Sequence, residues 1–283
     1  MTQFSNVQEL LNTGTGTEGS LLIEKKIYDT LIEEVAKALI PRELAAMYAG
    51  PGQIPGSSLD INLAAPDTGD VRLTAEGAGL VLDDAGYTSV NIKPLKYGVL
   101  LRITRELMED SKFDIMSQQL RTFGKRFAEN ENALVITALD GATNTVSGGA
   151  AITIPNLTRA IQYLEDNDYT ATDILVGNEV LNDFRNIDTF VEFNKSGSMD
   201  MLERGFLGTV YGMRVLRVST NAGMTATSAY VLDRSQAYAI AEKRTLTVEN
   251  FDVQTHDMSA AALTQRIAVV LLRAPAVCKI TTT

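Results

Sequence analysis

Residues 102–120 read RITRELMEDSKFDIMSQQL, and the stretch changes character halfway through. Arg102 to Thr104 finish an apolar, β-branched run, LKYGVLLRIT, that begins at Leu95. Such residues fit a pleated, half-buried strand. From Asp114 the pattern turns helical. Met116, Leu120, Phe123, Phe127, Leu134 and Ala138 recur at spacings of three, four and multiples of these, which predicts one apolar stripe. Asp114 suits an N-cap and Gly141 a stop, so the expected helix covers 114–139 and spans roughly 37 Å. Between strand and helix lies a knot of charge, Arg105 to Asp110.

Working toward the N-terminus, residues 59–104 read as β. Leu59, Ile61 and Leu63 alternate with polar residues, as do Val90 and Ile92. The segment 62–92 is polar, broken by Gly and Asp, and resembles a long hairpin. A two-stranded hairpin is marginal in water, so this one is expected to lie on something. Residues 49–58, AGPGQIPGSS, form a loop. Residues 21–48 predict an amphipathic helix through Ile27, Leu31, Ile32, Val35 and Leu39, ended or kinked by Pro41. Residues 1–20 are rich in Gly and Thr and read as a flexible arm.

Toward the C-terminus the pattern alternates. Helices are expected at 155–167, 178–188 and 235–241. Strands are expected at 172–177, 213–218, 229–233, 245–253, 262–273 and 275–282, the last two meeting at Pro275. Residues 192–205 form a polar loop. No internal repeat or low-complexity tract is present.

Composition narrows the function. The chain has 283 residues, 45% hydrophobic and 21% charged, which is an ordinary globular balance. No apolar run reaches about 18 residues, so no membrane span is expected. The N-terminus has no basic start followed by an apolar block, so no signal peptide is expected. The single cysteine, Cys278, has no partner for an internal disulfide and fits a reducing compartment. The net charge is −10 with Lys and Arg scattered, which argues against a dedicated nucleic-acid grip. It fits a concentrated protein that stays soluble and a wall that does not stick to a polyanion.

The individual motifs are weak. Gly14-Thr-Gly16-Thr-Glu-Gly19 matches GxGxxG, but no strand precedes it, so a flexible segment is the better reading. His256 is the only histidine, and neither Thr255 nor Asp257 completes a ligand set. Cys278 lies in an apolar strand and reads as a small buried hydrophobe. The acid pairs Glu33-Glu34, Asp83-Asp84 and Glu106/Glu109/Asp110 fit solvated faces better than glycosidic chemistry, which gathers aromatic platforms around its carboxylates. No catalytic set, metal site or cofactor site is expected.

The opening stretch carries the decisive resemblance. A strand running into Arg105, Glu106, Leu107, Met108, Glu109, Asp110 and Ser111, then Phe113, Asp114 and Ile115, then a long helix ending at Ala138 to Gly141, resembles the major capsid proteins of tailed bacteriophages and related archaeal viruses, with the HK97 fold. DILVGNEVLNDFRNI, GTVYGMRVLRVS and TQRIAVVLLRAPAVCKI fit later elements of that family in order. The resemblance implies an α+β, HK97-like capsid fold. An N-arm and N-terminal helix would occupy 1–48, and an extended E-loop hairpin 62–92. The peripheral domain would take 49–61 and 93–141, with the spine helix at 114–139, and its return strands 233–272. The axial domain would take 142–232, with its C-terminal strand at 273–283.

The resemblance also implies the function. Many copies form hexamers and pentamers that tile an icosahedral shell around a double-stranded DNA genome, which they contact non-specifically. Each E-loop lies across a neighbour, the N-arm reaches between subunits, and loop 192–205 approaches the capsomer centre. Expected inter-subunit contacts are Asp70, Arg72, Glu76, Asp83, Asp84, Arg102, Arg105, Glu106 and Glu109. Some members cross-link an E-loop lysine to a neighbour's Asn with help from a Glu. Here 62–92 contains no lysine, and the approximate equivalents of the other two are Asp257 and Thr264, so no cross-linking is expected. There is no long built-in scaffold extension, so separate scaffold, portal and decoration proteins are the expected partners, without a membrane. The expected location is the virion capsid, assembled in the host cytoplasm. Other readings stay open: an encapsulin shell around cargo enzymes, another phage structural protein, or a soluble α+β enzyme using His256 or an acid pair.

Overall fold

The computed structural model describes residues 40, 42–64, 73–74, 76–77, 86–104, 106–107, 115–187, 208–253 and 258–283. Strand β1 is Met47–Ala49, β2 Leu59–Ala64, β3 Tyr87–Ile92 and β4 Leu95–Thr104. Helix α1 is Ile115–Leu139, followed by β5 Asn144–Gly149, α2 Ile154–Glu165, β6 Asp173–Val176 and α3 Asn178–Asn186. The remaining strands are β7 Thr209–Val210, β8 Met213–Arg217, β9 Ser228–Leu232, β10 Tyr238–Val253, β11 Met258–Leu271 and β12 Val277–Thr282. A four-stranded sheet runs β1-β10-β11-β4, a six-stranded sheet runs β5-β12-β9-β6-β8-β7, and β2 pairs only with β3 among the described residues.

Helix α1 joins the two larger sheets. Its buried positions among the described residues are Leu120, Gly124, Phe127, Ala128, Glu131, Asn132, Val135, Ile136 and Leu139, a stripe of period near 3.6. The first half packs Leu120 and Phe127 on Leu101, Ile103, Ala261 and Leu263 of the four-stranded sheet. The second half packs Val135, Ile136 and Leu139 against both sheets at once, meeting Ile240 and Ile267 on one side and Leu175, Tyr230 and Leu232 on the other. Each such large apolar side chain contributes about 1.5–3 kcal/mol on burial. The stripe expected from sequence continues through Leu134 and Ala138, but these lie on its flank, half-buried. Glu131 and Asn132 hold the inward positions instead.

The six-stranded sheet is covered on one face by α2 and α3, through Leu157, Ala160 and Leu164 from one and Val180 and Phe184 from the other. Its other face meets α1. Strand β6, DILV, is therefore buried at every residue, which explains the apolar run Ile174–Val176, while the buried Asp173 is paired with Arg214 at 2.9 Å. Gly177 turns β6 into α3. A Cβ there would lie 2.4 Å from the carbonyl oxygen of Ala226 and 2.6 Å from that of Thr225, so the chain passes too close for any side chain.

Two expectations are corrected. The helix expected over 21–48 does not extend to its last residues: Met47–Ala49 pair in parallel with Ala239–Ala241 as an edge strand. The rest of that helix, up to residue 39, lies outside the described residues. The helix expected at 235–241 is a turn followed by β10. Asp233 accepts hydrogen bonds from Ser235 N at 2.8 Å and Ser235 Oγ at 2.7 Å, which fixes a side-chain-closed turn. Residues Tyr238 to Ala241 are then buried between neighbouring strands, and tertiary pairing overrides the helix preference of SQAYAIA. Strand β5, in the Gly- and Ser-rich NTVSGG, was not expected at all. It pairs in parallel with β12.

The hairpin begins earlier than the alternation at 62 implies. Its ladder runs from Leu59 opposite Ile92 to Ala64 opposite Tyr87. Ile92, Leu59 and Ile61 seat its base on Ala239, Ala241, Ala268 and Val270 of the four-stranded sheet. Arg273 Nη2 donates to Ala64 O at 2.8 Å, and Arg266 Nη2 donates to Pro94 O at 3.3 Å. Beyond that base the ladder pairs with no other strand among the described residues.

Candidate assembly surfaces

The side of the four-stranded sheet away from α1 is a trough. Register places Arg102, Ala260 and Phe251 in one row across β4, β11 and β10, and Leu100, Ala262 and Glu249 in the next. Side chains alternate between faces, and Leu101, Ala261 and Leu263 face α1, so these two rows face outward. The central strand supplies only alanine to the floor. Larger residues rise on both sides, with Leu100 42% and Phe251 45% exposed. Arg102 and Glu249 add one charge of each sign. Tyr87, at the free end of the described hairpin ladder, is 74% exposed. The molecule thus presents a projecting hairpin and an apolar trough with charged margins, neither of which it covers itself among the described residues.

Two polar clusters, one buried and one at the surface, hold these parts in place. The first centres on Arg42, just after the N-terminal segment. Its Nε donates to Glu131 Oε1 at 2.8 Å and its Nη2 to Glu131 Oε2 at 2.9 Å, a two-pronged pair with α1. Its Nη1 donates to Glu242 Oε2 of β10 at 2.8 Å and to the Tyr48 hydroxyl at 3.0 Å. Tyr48 in turn donates to Glu242. Gln265 Nε2 of β11 donates to Glu242 Oε1 at 3.1 Å. Glu131 and Glu242 are almost fully buried. One residue earlier in the described chain, Ile40 N donates to Asn132 Oδ1 at 2.9 Å. Burial alone would lower the Arg42 pKa, but the hydrogen bond and charge of Glu131 and the charge of Glu242 outweigh it and raise it. Burial, then the bond to Glu242, pushes the Tyr48 phenol up to about 12.

The second cluster ties the end of α1 to the six-stranded sheet. Asp140 Oδ1 accepts from Tyr230 Oη and from Lys279 Nζ, both at 2.6 Å. Burial alone would raise the Asp140 carboxyl, but the bonds from Lys279 and Tyr230 bring it below its ordinary value. Burial, then the Asp140 bond, raises Tyr230 well above the usual phenol range.

Of the expected contact residues, the structure places Glu76 in an exposed turn, Arg102 on the trough and Glu106 exposed just after β4. Asp70, Arg72, Asp83, Asp84, Arg105 and Glu109 lie outside the described residues, as do loop 192–205, His256 and Asp257. Thr264 lies on β11, where its Oγ1 accepts from Arg244 Nη2 at 3.0 Å. The Arg42 cluster was missed from sequence. Its signal was there: Glu131 and Asn132 interrupt an apolar stripe, and Gln265 takes an inward position between Leu263 and Ile267. Among the described residues no helix is long and apolar enough to cross a membrane, and no group of His, Cys, Asp and Glu side chains could hold a metal ion.

Comparison with known proteins places this architecture. A family model described as phage capsid protein matches residues 87–280. Among solved structures, one from Mycobacterium phage Che8 superposes with a TM-score of 0.69 at 15% identity, covering 80% of this chain and 85% of the other. The mature capsid of bacteriophage PhiM1 gives a TM-score of 0.69 at 13% identity, covering 87% of each chain. A virus-like particle from Pyrococcus furiosus gives 0.60 at 10% identity, covering 90% of this chain and 98% of the other. No curated protein matches in sequence.

Proposed function

The chain belongs to the phage capsid protein family, and we propose that it is the major capsid protein of a virus, self-assembling as hexamers and pentamers into an icosahedral shell around double-stranded DNA. The family match over residues 87–280 carries this reading. Its role is structural rather than catalytic. In the assembly each copy's hairpin, from β2 and β3 outward, lies in the trough of a neighbour. Leu100 and Phe251 meet its apolar side chains, and Arg102 meets one of its carboxylates. The N-terminal segment 1–48 reaches between subunits and is anchored where Arg42 enters the sheet. Glu76 and Glu106 are contact residues, with Asp70, Arg72, Asp83, Asp84, Arg105 and Glu109. Single rim pairs contribute about 0–1 kcal/mol, and a shell repeats them many times. No covalent cross-link forms, since 62–92 has no lysine and Thr264 is hydrogen-bonded within its own sheet.

The domain division follows the same reading: peripheral elements around the four-stranded sheet and α1, axial elements around the six-stranded sheet. Scaffold, portal and decoration proteins are separate partners, assembly takes place in the host cytoplasm, and the mature location is the virion. A net charge of −10 suits a wall that lets packaged DNA slide past without a specific grip. The superposition on the Pyrococcus furiosus particle favours one second reading, an encapsulin shell around cargo enzymes. Particles isolated from cells, treated with nuclease and then opened, decide between the two. Genome-length double-stranded DNA supports the viral shell, whereas a co-purified enzyme without DNA supports the encapsulin.

A further inference from the structure

A groove opens along the edge of β4, outside the trough assigned above to the neighbour's hairpin. Residues 97–99 form one wall, Phe123 and Phe127 of α1 the other, and its volume is about 220 Å³. That is the liquid-volume share of about seven waters, room for one or two aliphatic side chains. Two polar groups stand at its margin. The Arg126 guanidinium lies over the Phe123 ring, 5.6 Å from its centroid, and has no carboxylate partner among the described residues. The Asn130 amide likewise has no hydrogen-bond partner among them. Strand β4 is an edge, with β11 its only neighbour among the described residues, so alternate N–H and C=O groups face outward beside the groove. Arg121 and Lys125 are exposed on the same helix. Among the described residues of this stretch of α1, three basic side chains, Arg121, Lys125 and Arg126, stand exposed against one half-buried acid, Glu129, on a chain of net charge −10.

We propose that the groove docks an extended, acidic and apolar segment of a separate protein. The segment adds as a strand to the free edge of β4 and inserts an apolar side chain against Phe123 and Phe127. It also sets a carboxylate on Arg126. A second copy of this chain fits the edge poorly, because pairing β4 with β4 brings Lys96, Arg102 and Arg126 of both copies together. The inference does not depend on what the shell encloses.

The test is fluorescence anisotropy on the full-length chain, with three labelled peptides: Ser-Asp-Val-Leu-Val-Asp-Ser, the same peptide with lysine for aspartate, and the acidic peptide N-methylated at alternate amides. The acidic peptide is expected to bind about tenfold tighter than either of the others, and Arg126→Ala to cost about tenfold, the scale of a charged hydrogen bond. Asn130→Ala should weaken binding severalfold, and the distant Arg159→Ala should leave it unchanged. All three variants alter surface or half-buried side chains, and their circular dichroism is expected to match the parent. The proposal is overturned if acidic and basic peptides bind alike, if none binds at millimolar concentration, or if Arg126→Ala binds as tightly as the parent. It is equally overturned if the groove is filled by a second copy, seen as a dimer that Arg126→Glu abolishes and that excludes the peptide.

Discussion

Replacing Arg42 with Met removes the only cation that, among the described residues, faces the two buried carboxylates Glu131 and Glu242. Five polar contacts go: two to Glu131, two to Glu242 and one to Tyr48. What remains are Glu131 at 3% and Glu242 at 1% exposure, with Gln265 and Tyr48 as their main donors. Breaking a buried pair by deleting one partner costs roughly 3–5 kcal/mol. The Arg42 side chain is 31% exposed, so water reaches the vacated end and the lower figure applies, about 3 kcal/mol. With a urea dependence of about 3 kcal/mol per molar, the unfolding midpoint of the unassembled chain falls by about 1 M. Adding Glu131→Gln and Glu242→Gln to Arg42→Met removes the uncompensated charge and recovers at least half of that loss. Urea unfolding followed by circular dichroism at low protein concentration measures both. An unchanged midpoint for Arg42→Met, or a triple variant weaker than the single one, would refute the reasoning that this cation neutralises the buried acids.

Three further outcomes follow from other parts of the molecule. Gly177→Ala drives a methyl into the carbonyls of Thr225 and Ala226, so it costs about 3 kcal/mol or more and leaves mostly insoluble protein; a soluble variant with parental melting would contradict the clash. Burial pushes the Cys278 thiol up to about 12, so a maleimide labels it only after denaturation, and rapid labelling of the folded chain would contradict the burial. Tyr48 has a folded pKa above its ordinary value of 10.0, so its neutral form adds stability that is fully present below pH 10 and lost as pH rises toward about 12. Ultraviolet titration should show phenolate formation delayed past pH 10 and coupled to unfolding, less so in Tyr48→Phe; a plain titration near 10 with the fold intact would contradict it.

Much of the architecture was legible because its signals are local. The β-branched run of β4, the stripe of α1 and the apolar Ile174–Val176 run of β6 each declare their type and their exposure. What was not legible depends on distant partners. SQAYAIA has helix-forming residues, yet Tyr238 to Ala241 extend because β11 and β1 flank them. NTVSGG has no strand signature, and β5 exists because β12 offers it an edge. Arg42, Glu131, Glu242 and Gln265 are scattered over more than 220 residues, and only folding brings them together. The proposed contact residues rest on resemblance alone, since one chain carries no mark of a partner's surface.

The central claim, that this chain builds a closed shell, is tested most directly by electron cryomicroscopy of the purified, assembled protein. The account predicts icosahedral particles whose capsomers hold the chain as five- and six-membered rings, with each hairpin lying in the trough beside Leu100 and Phe251 of the next copy. Rings or shells in which the hairpin packs on its own subunit, or a chain that stays monomeric at high concentration with and without crowding agents, would contradict it.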